Sequence, residues 1–305
     1  MKISYAHRRA AFYPFADERG PGNELPPKDV RRAYLRKVRE IGFEAIEFGV
    51  RSAGNTEGEW KELRAELEGE GLKCAVIRGG GGVAHPRIGA TYRKNWETAI
   101  RAAAALGAYL VNSAIGGGVQ DPGGPGSKVG ERTAQGSSRQ ARESDYAITA
   151  DRFREVADLA SDSGVEIAIE MHQNSIADNS WGAIHLLDLI DRRNVGVNPD
   201  LGNLYWNYAV PEESNEACIV ALAQRAKYWH CKQLMRVHIP EMEKTYFLKV
   251  PLPDGEIDYR FAMAAMLEAG YQGYMAIEGC REGDQLYRDG KSVEYVKQIL
   301  KELGR

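Results

Sequence analysis

The stretch EIAIEMHQNSIADNSWGAIHLLDLIDRRNVGVNPDLGN, residues 166–203, holds the pattern that decides the fold. It contains two short apolar runs, residues 166–172 and 195–200, and between them residues 181–191 place apolar side chains at helical spacing. Continuous apolar runs of this length are typical of strands that are buried on both faces. A strand, a helix and a second strand form a βαβ unit, in which the two strands are parallel. The stretch therefore predicts one repeat of an α/β fold.

The same unit recurs along the whole chain. Eight apolar runs, each followed by an amphipathic stretch, predict a single (β/α)₈ TIM barrel. Such a barrel typically needs about 250 residues, and the chain has 305, so we expect one domain over residues 1–305. The candidate strands are residues 2–7, 45–50, 73–78, 109–114, 166–172, 195–200, 228–232 and 274–279. The candidate helices are residues 29–41, 59–70, 93–105, 150–163, 181–191, 212–225, 259–269 and 292–303.

Three long segments interrupt the repeat, and each of them follows a strand. Residues 8–28 are rich in Arg and Pro, residues 79–89 begin with four glycines, and residues 115–145 are rich in Gly, Ser and Gln. In a barrel, loops that follow strands lie at the C-terminal face, where active sites are found. We interpret residues 115–145 as an active-site lid, with a tolerated surface insertion as the alternative.

Composition and charge exclude several classes of function. The net charge is −3, and no block of Lys and Arg suggests binding to nucleic acid. The four cysteines include no CxxC pair, which argues against a disulfide framework and a Cys-ligated zinc site and fits a reducing cytoplasm. No apolar run approaches the roughly 20 residues that span a membrane. We expect a cytoplasmic homo-oligomer that binds a small molecule and neither nucleic acid nor a membrane.

The last four strands each carry a side chain near the C-terminal end that can bind a metal ion. These side chains are Glu170, Asp200, His230 and Glu278. Adjacent strands lie about 4.8 Å apart, so the four side chains can converge on one point. Each acid alone could be a surface residue and the histidine a packed one, but buried charged groups need partners. Three carboxylates and an imidazole suit one divalent ion, Mn²⁺ first, with Mg²⁺, Co²⁺ or Zn²⁺ as alternatives.

These strand ends resemble the sugar phosphate isomerase/epimerase family of the xylose-isomerase-like TIM barrels, which includes ketose 3-epimerases, inosose dehydratases and relatives of endonuclease IV. The resemblance implies that the four residues bind one Mn²⁺-like ion and that Glu170 and Glu278 move protons on opposite faces of a sugar. It also places Arg236 where the epimerases carry a substrate-binding arginine. The matching segments are IEMH ending at residue 172, NPDLGN at 198–203, YWHCKQ at 228–233, AIEGC at 276–280 and GEIDYRFAMAAMLEAGYQGYMAIE at 255–278.

Three positions depart from the pattern of the ketose epimerases. Asn203 stands where the family usually has a histidine, so we expect a single metal ion rather than a cluster. Ile176 replaces a glutamate that holds substrate in the epimerases. Lys232 gives the H-x-K pattern of the inosose and dehydroshikimate dehydratase branch, and it shares a strand face with His230. Its ammonium could stabilise an enolate oxygen or only neutralise nearby carboxylates.

The remaining candidates each have a structural alternative. His172 shares a strand face with Glu170, and it could act as a general acid or base or only hydrogen-bond to a neighbour. Glu47 could contact substrate or form an ion pair with Arg78 or Lys73. The other candidates could contact substrate or serve only in packing and structural hydrogen bonds. The candidate substrate-binding residues are Arg236, His7, Glu47, His85, Trp206 and His238.

The function that we predict is that of a metal-dependent isomerase or epimerase, which transfers a proton next to the carbonyl of a sugar or keto-sugar. The alternative is a lyase or dehydratase that carries out β-elimination on a keto-glycoside or inosose. A phosphodiesterase like endonuclease IV and a non-catalytic sugar-binding subunit are less favoured, because the chain lacks a basic surface and four side chains converge on one point.

Overall fold

The computed structural model describes residues 1–6, 25–116, 136–173, 175–205, 212–280 and 283–305. Eight parallel strands form one curled sheet with helices around it, which confirms the predicted (β/α)₈ class. The strands are β1 (Lys2–Ala6), β2 (Ala45–Gly49), β3 (Lys73–Arg78), β4 (Leu110–Ala114), β5 (Glu166–Glu170), β6 (Val195–Asn198), β7 (Trp229–Cys231), β8 (Gln233–Ile239), β9 (Lys244–Val250) and β10 (Tyr274–Glu278). The helices are α1 (Lys28–Ile41), α2 (Val50–Ala53), α3 (Glu57–Gly69), α4 (Gly89–Leu106), α5 (Glu143–Asp162), α6 (Ser180–Ile190), α7 (Asn215–Leu222), α8 (Tyr259–Glu268) and α9 (Gln285–Glu302).

The barrel is nearly closed, and its last two strands are joined by little backbone pairing. The sheet has the order β6-β5-β4-β3-β2-β1-β10-β7. Between β6 and β7, Val197 pairs with Ala226 in a single bridge, and the Lys227 N–H donates to the Val197 carbonyl at 3.0 Å. A Cβ at Gly196 would lie 2.6 Å from the Arg225 carbonyl oxygen, so only glycine allows this approach. We call this junction the β6–β7 seam.

The interior of the barrel changes character along its axis. Its N-terminal part is filled mostly by small and apolar side chains, whereas buried polar side chains lie toward the C-terminal ends of the strands. Buried polar groups need partners, so this end is where a site can be built. The apolar part includes Ala45, Ala75, Val76, Leu110, Ala168, Tyr228 and Ala276. The polar part includes Glu47, Asn112, Glu170, Asn198, Asp200, His230, Lys232 and Glu278.

Several boundaries differ from the predictions. Helix α5 begins at Glu143, seven residues earlier than expected, so residues 143–145 of the predicted lid are helical. The prediction had neither the one-turn helix α2 nor the antiparallel hairpin of β8 and β9. Most of the predicted lid and of the loop after β1, residues 117–135 and 7–24, lies outside the described residues. Within the described ranges, no helix combines the length and apolar character needed to cross a membrane.

Candidate metal centre

Three of the four predicted ligands come together at the C-terminal end of the barrel. Ligand atoms of Glu170, Asp200 and His230 lie within 4.8 Å of one another, and all three residues are buried. His230 Nδ1 lies 3.5 Å from Glu170 Oε1 and 3.7 Å from Asp200 Oδ2. This nitrogen is buried and has no hydrogen-bond partner among the described residues. One imidazole nitrogen facing two carboxylates fits a divalent cation.

The local structure after β6 aims the carboxylate of Asp200 into the site. The chain leaves β6 through Pro199 and enters a short 3₁₀-helix, Leu201–Tyr205. Asp200 Oδ1 accepts a hydrogen bond from the Gly202 N–H at 3.1 Å. A Cβ at Gly202 would lie 2.3 Å from Lys232 Cγ. The glycine therefore gives Lys232 room to reach Asp200, whose Oδ2 lies 2.9 Å from Lys232 Nζ.

Glu47 holds the other nitrogen of His230. His230 Nε2 lies 2.6 Å from Glu47 Oε2, and Arg78 Nη1 lies 2.5 Å from Glu47 Oε1. The predicted alternative of an ion pair with Arg78 is thus present, together with a histidine contact that was not predicted. A carboxylate in this position fixes the proton on Nε2 and leaves the lone pair of Nδ1 for a metal ion. A contact of Glu47 with substrate stays a prediction.

Two asparagine amides orient Glu170. Asn112 Nδ2 donates to Glu170 Oε2 at 3.0 Å. Asn203 Nδ2 donates to Glu170 Oε1 at 3.4 Å and to the Met171 carbonyl at 2.7 Å. Asn203, where the resemblance led us to expect a histidine, thus binds a candidate ligand. Asn112 was not singled out from the sequence, although a polar residue inside the apolar run YLVNSA was a signal.

A third asparagine bridges strands at the β6–β7 seam. Asn198 Nδ2 donates to Asn112 Oδ1 at 3.2 Å, and Asn198 Oδ1 accepts from the His230 N–H at 2.7 Å. The side chain therefore replaces a missing backbone contact and positions the backbone of the candidate ligand. Sequence reasoning missed this residue as well.

Charges within the cluster reverse the effects of burial. Burial alone would raise the pKa of Glu170, but the positive charge of His230, with His172 and Lys232, outweighs it and lowers this pKa. Burial alone would lower the pKa of His230, but Glu47, Glu170 and Asp200 outweigh it and raise this pKa well above its usual value. These carboxylates therefore favour the protonated imidazole, and a divalent ion at Nδ1 would compete with that proton.

The fourth predicted ligand, Glu278, lies between two lysines. Lys232 Nζ is 3.1 Å from Glu278 Oε2, and Lys249 Nζ is 2.5 Å from Glu278 Oε1. Burial alone would lower the pKa of Lys232, but Asp200, Glu278 and Glu170 raise it, so the side chain is an ammonium. Metal binding by Glu278 stays a prediction. Lys249, on the unpredicted strand β9, was missed.

The other candidates lie around the mouth of the site or in its walls. The half-buried His172 places Nδ1 2.8 Å from the Gln173 carbonyl oxygen. The Arg236 guanidinium lies 5.6 Å from the centre of the Tyr205 ring. His238 is exposed, with Nδ1 3.0 Å from Thr245 Oγ1. Their roles in substrate binding or catalysis stay predictions.

The geometry gives His85 a structural task. His85 Nδ1 accepts hydrogen bonds from the Arg87 and Ile88 N–H groups, both at 3.2 Å, just before α4 begins. This agrees with the alternative that His85 serves in structural hydrogen bonds. A contact between His85 and substrate stays a prediction. His7 and Trp206 lie outside the described residues.

Comparison with known proteins places this arrangement in a family. The profile of a family described as a xylose isomerase-like TIM barrel matches residues 35–301. No curated protein shows significant similarity to the chain.

Crystal structures with a similar fold include three that bear on chemistry. A xylose isomerase-like TIM barrel protein from Mycobacterium smegmatis, in complex with magnesium, is 23% identical with a TM-score of 0.75, over 99% of this chain and 96% of that one. D-psicose 3-epimerase from Clostridium cellulolyticum H10, solved with D-tagatose, is 15% identical with a TM-score of 0.69, over 98% and 99%. The probable 3-DHS dehydratase of petrobactin synthesis from Bacillus anthracis is 16% identical with a TM-score of 0.67, over 100% and 99%. Identities this low establish a common fold and no more.

Proposed function

Because the chain belongs to the xylose isomerase-like TIM barrel family, we propose that it is a divalent-metal-dependent enzyme that isomerises or epimerises a sugar or keto-sugar by proton transfer next to a carbonyl. The observation that carries the proposal is the buried group of Glu170, Asp200 and His230. We propose Mn²⁺ as the ion, with Mg²⁺, Co²⁺ or Zn²⁺ as alternatives. A family member in complex with magnesium and an epimerase solved with a ketose support this choice of chemistry.

The roles that we propose for the residues combine the family resemblance with their charges and positions. Glu170, Asp200 and His230 would hold the ion, with Glu278 as the proposed fourth ligand. A bound ion supplies a Lewis acid that polarises a carbonyl and acidifies the adjacent C–H group. Lys232 remains cationic and neutralises negative charge that develops on a substrate oxygen. Glu170 and Glu278 accept and return the proton, and His172 exchanges a proton with a substrate hydroxyl.

Solvent exchange tests the proposal. The Mn²⁺-loaded protein is incubated in D₂O with D-tagatose or D-fructose, and NMR and mass spectrometry follow deuterium at the carbon next to the carbonyl. We expect incorporation, and we expect Glu278→Gln to slow it by about 100-fold or more, the usual effect of losing a general acid or base. Glu166→Gln is the matched control, because Glu166 lies at the opposite end of the barrel, paired with Lys227 at 2.5 Å. Loaded protein that exchanges no deuterium with any keto-sugar would contradict the proposal.

The runner-up proposal is β-elimination by a lyase or dehydratase. The two ammonium groups beside Glu278 favour it, because they can neutralise an enolate and assist a departing oxygen. The similarity to a probable dehydratase is in keeping with it. In this reaction the C–H proton is removed, a double bond forms, and the C–O bond breaks with loss of water. A product lighter by one water, with the absorbance of an unsaturated ketone, distinguishes elimination from isomerisation, which leaves the mass unchanged.

We propose a small-molecule substrate, no nucleic-acid or membrane partner, a homo-oligomeric state and a cytoplasmic location.

A further inference from the structure

The hairpin of β8 and β9 has an apolar face that is open to solvent. Alternate residues of a strand lie on one face, and so do residues opposite each other across an antiparallel pair. Met235 lies opposite Leu248, and Val237 lies opposite Tyr246. Each of these four residues is between 44% and 55% exposed. We call the four residues the apolar face of the hairpin.

The polarity of the hairpin is the reverse of what a solvated hairpin usually shows. An antiparallel sheet with one face in water normally carries polar residues on that face. Here the charged residues lie on the face that is directed at the candidate metal centre. Lys249 Nζ lies 2.5 Å from Glu278 Oε1, and the Arg236 guanidinium lies 5.6 Å from the centre of the Tyr205 ring. The face that remains outside is apolar, as in a strand pair that another protein covers.

Exposed apolar residues are concentrated in this one element. Among the described residues, twelve large apolar residues are exposed, and five of them lie in the hairpin, the fifth being Met242 in its turn. Scattered apolar residues are normal on a surface, whereas a contiguous patch marks a contact site. The four residues of the apolar face present roughly 350 to 400 Å² of surface. This is most of the apolar share of a standard interface, which buries about 800 Å² on each partner, a little over half of it non-polar.

The edges of the hairpin are less available than this face. On β8, the Arg236 N–H donates to Glu256 Oε1 at 2.8 Å. The Glu256 N–H in turn donates to the Leu234 carbonyl at 3.1 Å. On β9, the Lys249 carbonyl accepts from Arg288 Nη2 at 3.0 Å. Strand addition needs unpaired backbone groups, so a partner would meet the side chains of the apolar face rather than extend the sheet.

We propose that the apolar face of the hairpin docks on the same face of a second copy of this chain and forms a two-fold symmetric dimer. This rests on the homo-oligomeric state proposed above and names the surface that forms it. Two identical apolar faces need no matching of charges, because the hydrophobic effect is non-directional. A two-stranded hairpin has little stability of its own. The dimer would therefore also hold in place strand β9, which brings Lys249 to Glu278.

Sedimentation velocity and light scattering over a range of protein concentrations test this inference. We expect the full chain to be a dimer with a Kd of about 1 µM or tighter, the range of interfaces of this size. Val237→Glu should weaken the dimer by at least about 30-fold, because it places charges in the dry centre of the interface. Val220→Glu is the matched control, because Val220 is an exposed valine on helix α7, and it should leave the dimer intact. Both variants should melt cooperatively.

Thiol labelling locates the contact without adding a charge. The four native cysteines are buried, so a newly exposed cysteine reacts selectively with a small thiol reagent in the presence of a non-thiol reductant. The Val237→Cys protein should be labelled at least about fivefold more slowly at 100 times Kd than well below Kd, because association hides the thiol by mass action. The Val220→Cys protein should react at the same rate at both concentrations.

Other outcomes have defined meanings. A monomeric wild-type protein would overturn the inference and leave the apolar face to a different partner. A dimer that persists in a folded Val237→Glu protein, or Val237→Cys labelling that does not slow with concentration, would also overturn it, because another surface would then form the oligomer. Deuterium exchange by a monomer would retain proton transfer and reject only the dimer. A dimer formed through this face without deuterium exchange would retain the inference and reject the proposed chemistry.

Discussion

His230 uses its two ring nitrogens for different tasks. Nε2 is held by Glu47 at 2.6 Å, and Nδ1 faces Glu170 and Asp200. Because Arg78 holds the other oxygen of Glu47, the carboxylate is fixed on both sides and the ring cannot turn without losing a buried hydrogen bond. The arrangement determines which nitrogen is available to a metal ion. The metal affinity of the site should therefore depend on Glu47, which does not itself bind the ion.

Glu47→Gln should therefore weaken metal binding. An amide accepts a hydrogen bond less strongly than a carboxylate and can present its NH₂ group to the ring, which would favour the wrong tautomer. We expect a 10- to 100-fold loss in Mn²⁺ affinity, about the usual effect of changing the residue that orients a ligand, measured by calorimetric titration. Glu44→Gln is the control, because Glu44 is an exposed glutamate next to the same strand. Unchanged Mn²⁺ affinity in a folded Glu47→Gln protein would show that the Glu47 carboxylate does not affect how well His230 binds the ion.

At the residue scale, the sequence predicts some parts of the site better than others. Glu170, Asp200 and His230 could be placed together, because strand order alone brings the ends of neighbouring strands close. Asn112 and Asn198 carry no charge and resemble tolerated polar residues until the contacts across the barrel are visible. Lys249 belongs to no motif and lies outside every predicted strand and helix, and only the hairpin of β8 and β9 brings it to Glu278.

The glycine run after β3 packs closely between strand β4 and helix α4. Gly81 has φ +108°, and a Cβ there would lie 2.2 Å from the ring of Tyr92 on α4. The Gly81 N–H donates to Ser113 Oγ at 3.0 Å, and its carbonyl accepts from Trp96 Nε1 at 2.9 Å. Strand β4 and helix α4 thus meet at a position that tolerates no side chain.

Opposite effects are expected when alanine replaces two different glycines. Gly81→Ala should lower the free energy of unfolding by about 2 to 4 kcal/mol, because it combines a left-handed backbone with a steric clash. Gly69→Ala should raise it by up to about 1 kcal/mol, because Gly69 lies in helix α3 with nothing within 4 Å of the added Cβ, and alanine favours the helix. Urea denaturation measures both. Similar changes in the two variants would refute the packing argument.

At the element scale, the eight barrel strands were predictable and the hairpin was not. Barrel strands are buried on both faces and are therefore visible as continuous apolar runs. Strands β8 and β9, QLMRVHI and KTYFLKV, instead mix apolar and charged residues, because one face is exposed and the other lines a polar site. They also interrupt the expected order of strand and helix, so the barrel pattern predicts neither a strand nor a helix between residues 232 and 259.

At the scale of the whole molecule, the candidate metal centre lies at the least-paired junction of the barrel. Glu170 ends β5, Asp200 follows β6 and His230 lies in β7. An ion bound to all three joins strands on both sides of the β6–β7 seam, where the backbone contributes one bridge. Metal binding should therefore also stabilise the closed barrel, because the ion would link β6 and β7 where backbone hydrogen bonds are fewest.

Hydrogen exchange tests whether the ion closes the seam. A ligand that binds only the closed form suppresses opening in proportion to its concentration over Kd, so Mn²⁺ at 100 times Kd should slow exchange through such openings by about 100-fold. We expect this slowing for amides in β6 and β7 and little change in β2 and β3, which share an extended ladder. Asp200→Asn should remove the effect, whereas Asp158→Asn, at an exposed ion pair with Arg192, should preserve it. Equal slowing in all strands would mean that the ion opposes only global unfolding. No slowing at the seam would mean that the ion does not bridge β6 and β7, and the assignment of Asp200 and His230 to one metal site would fail with it.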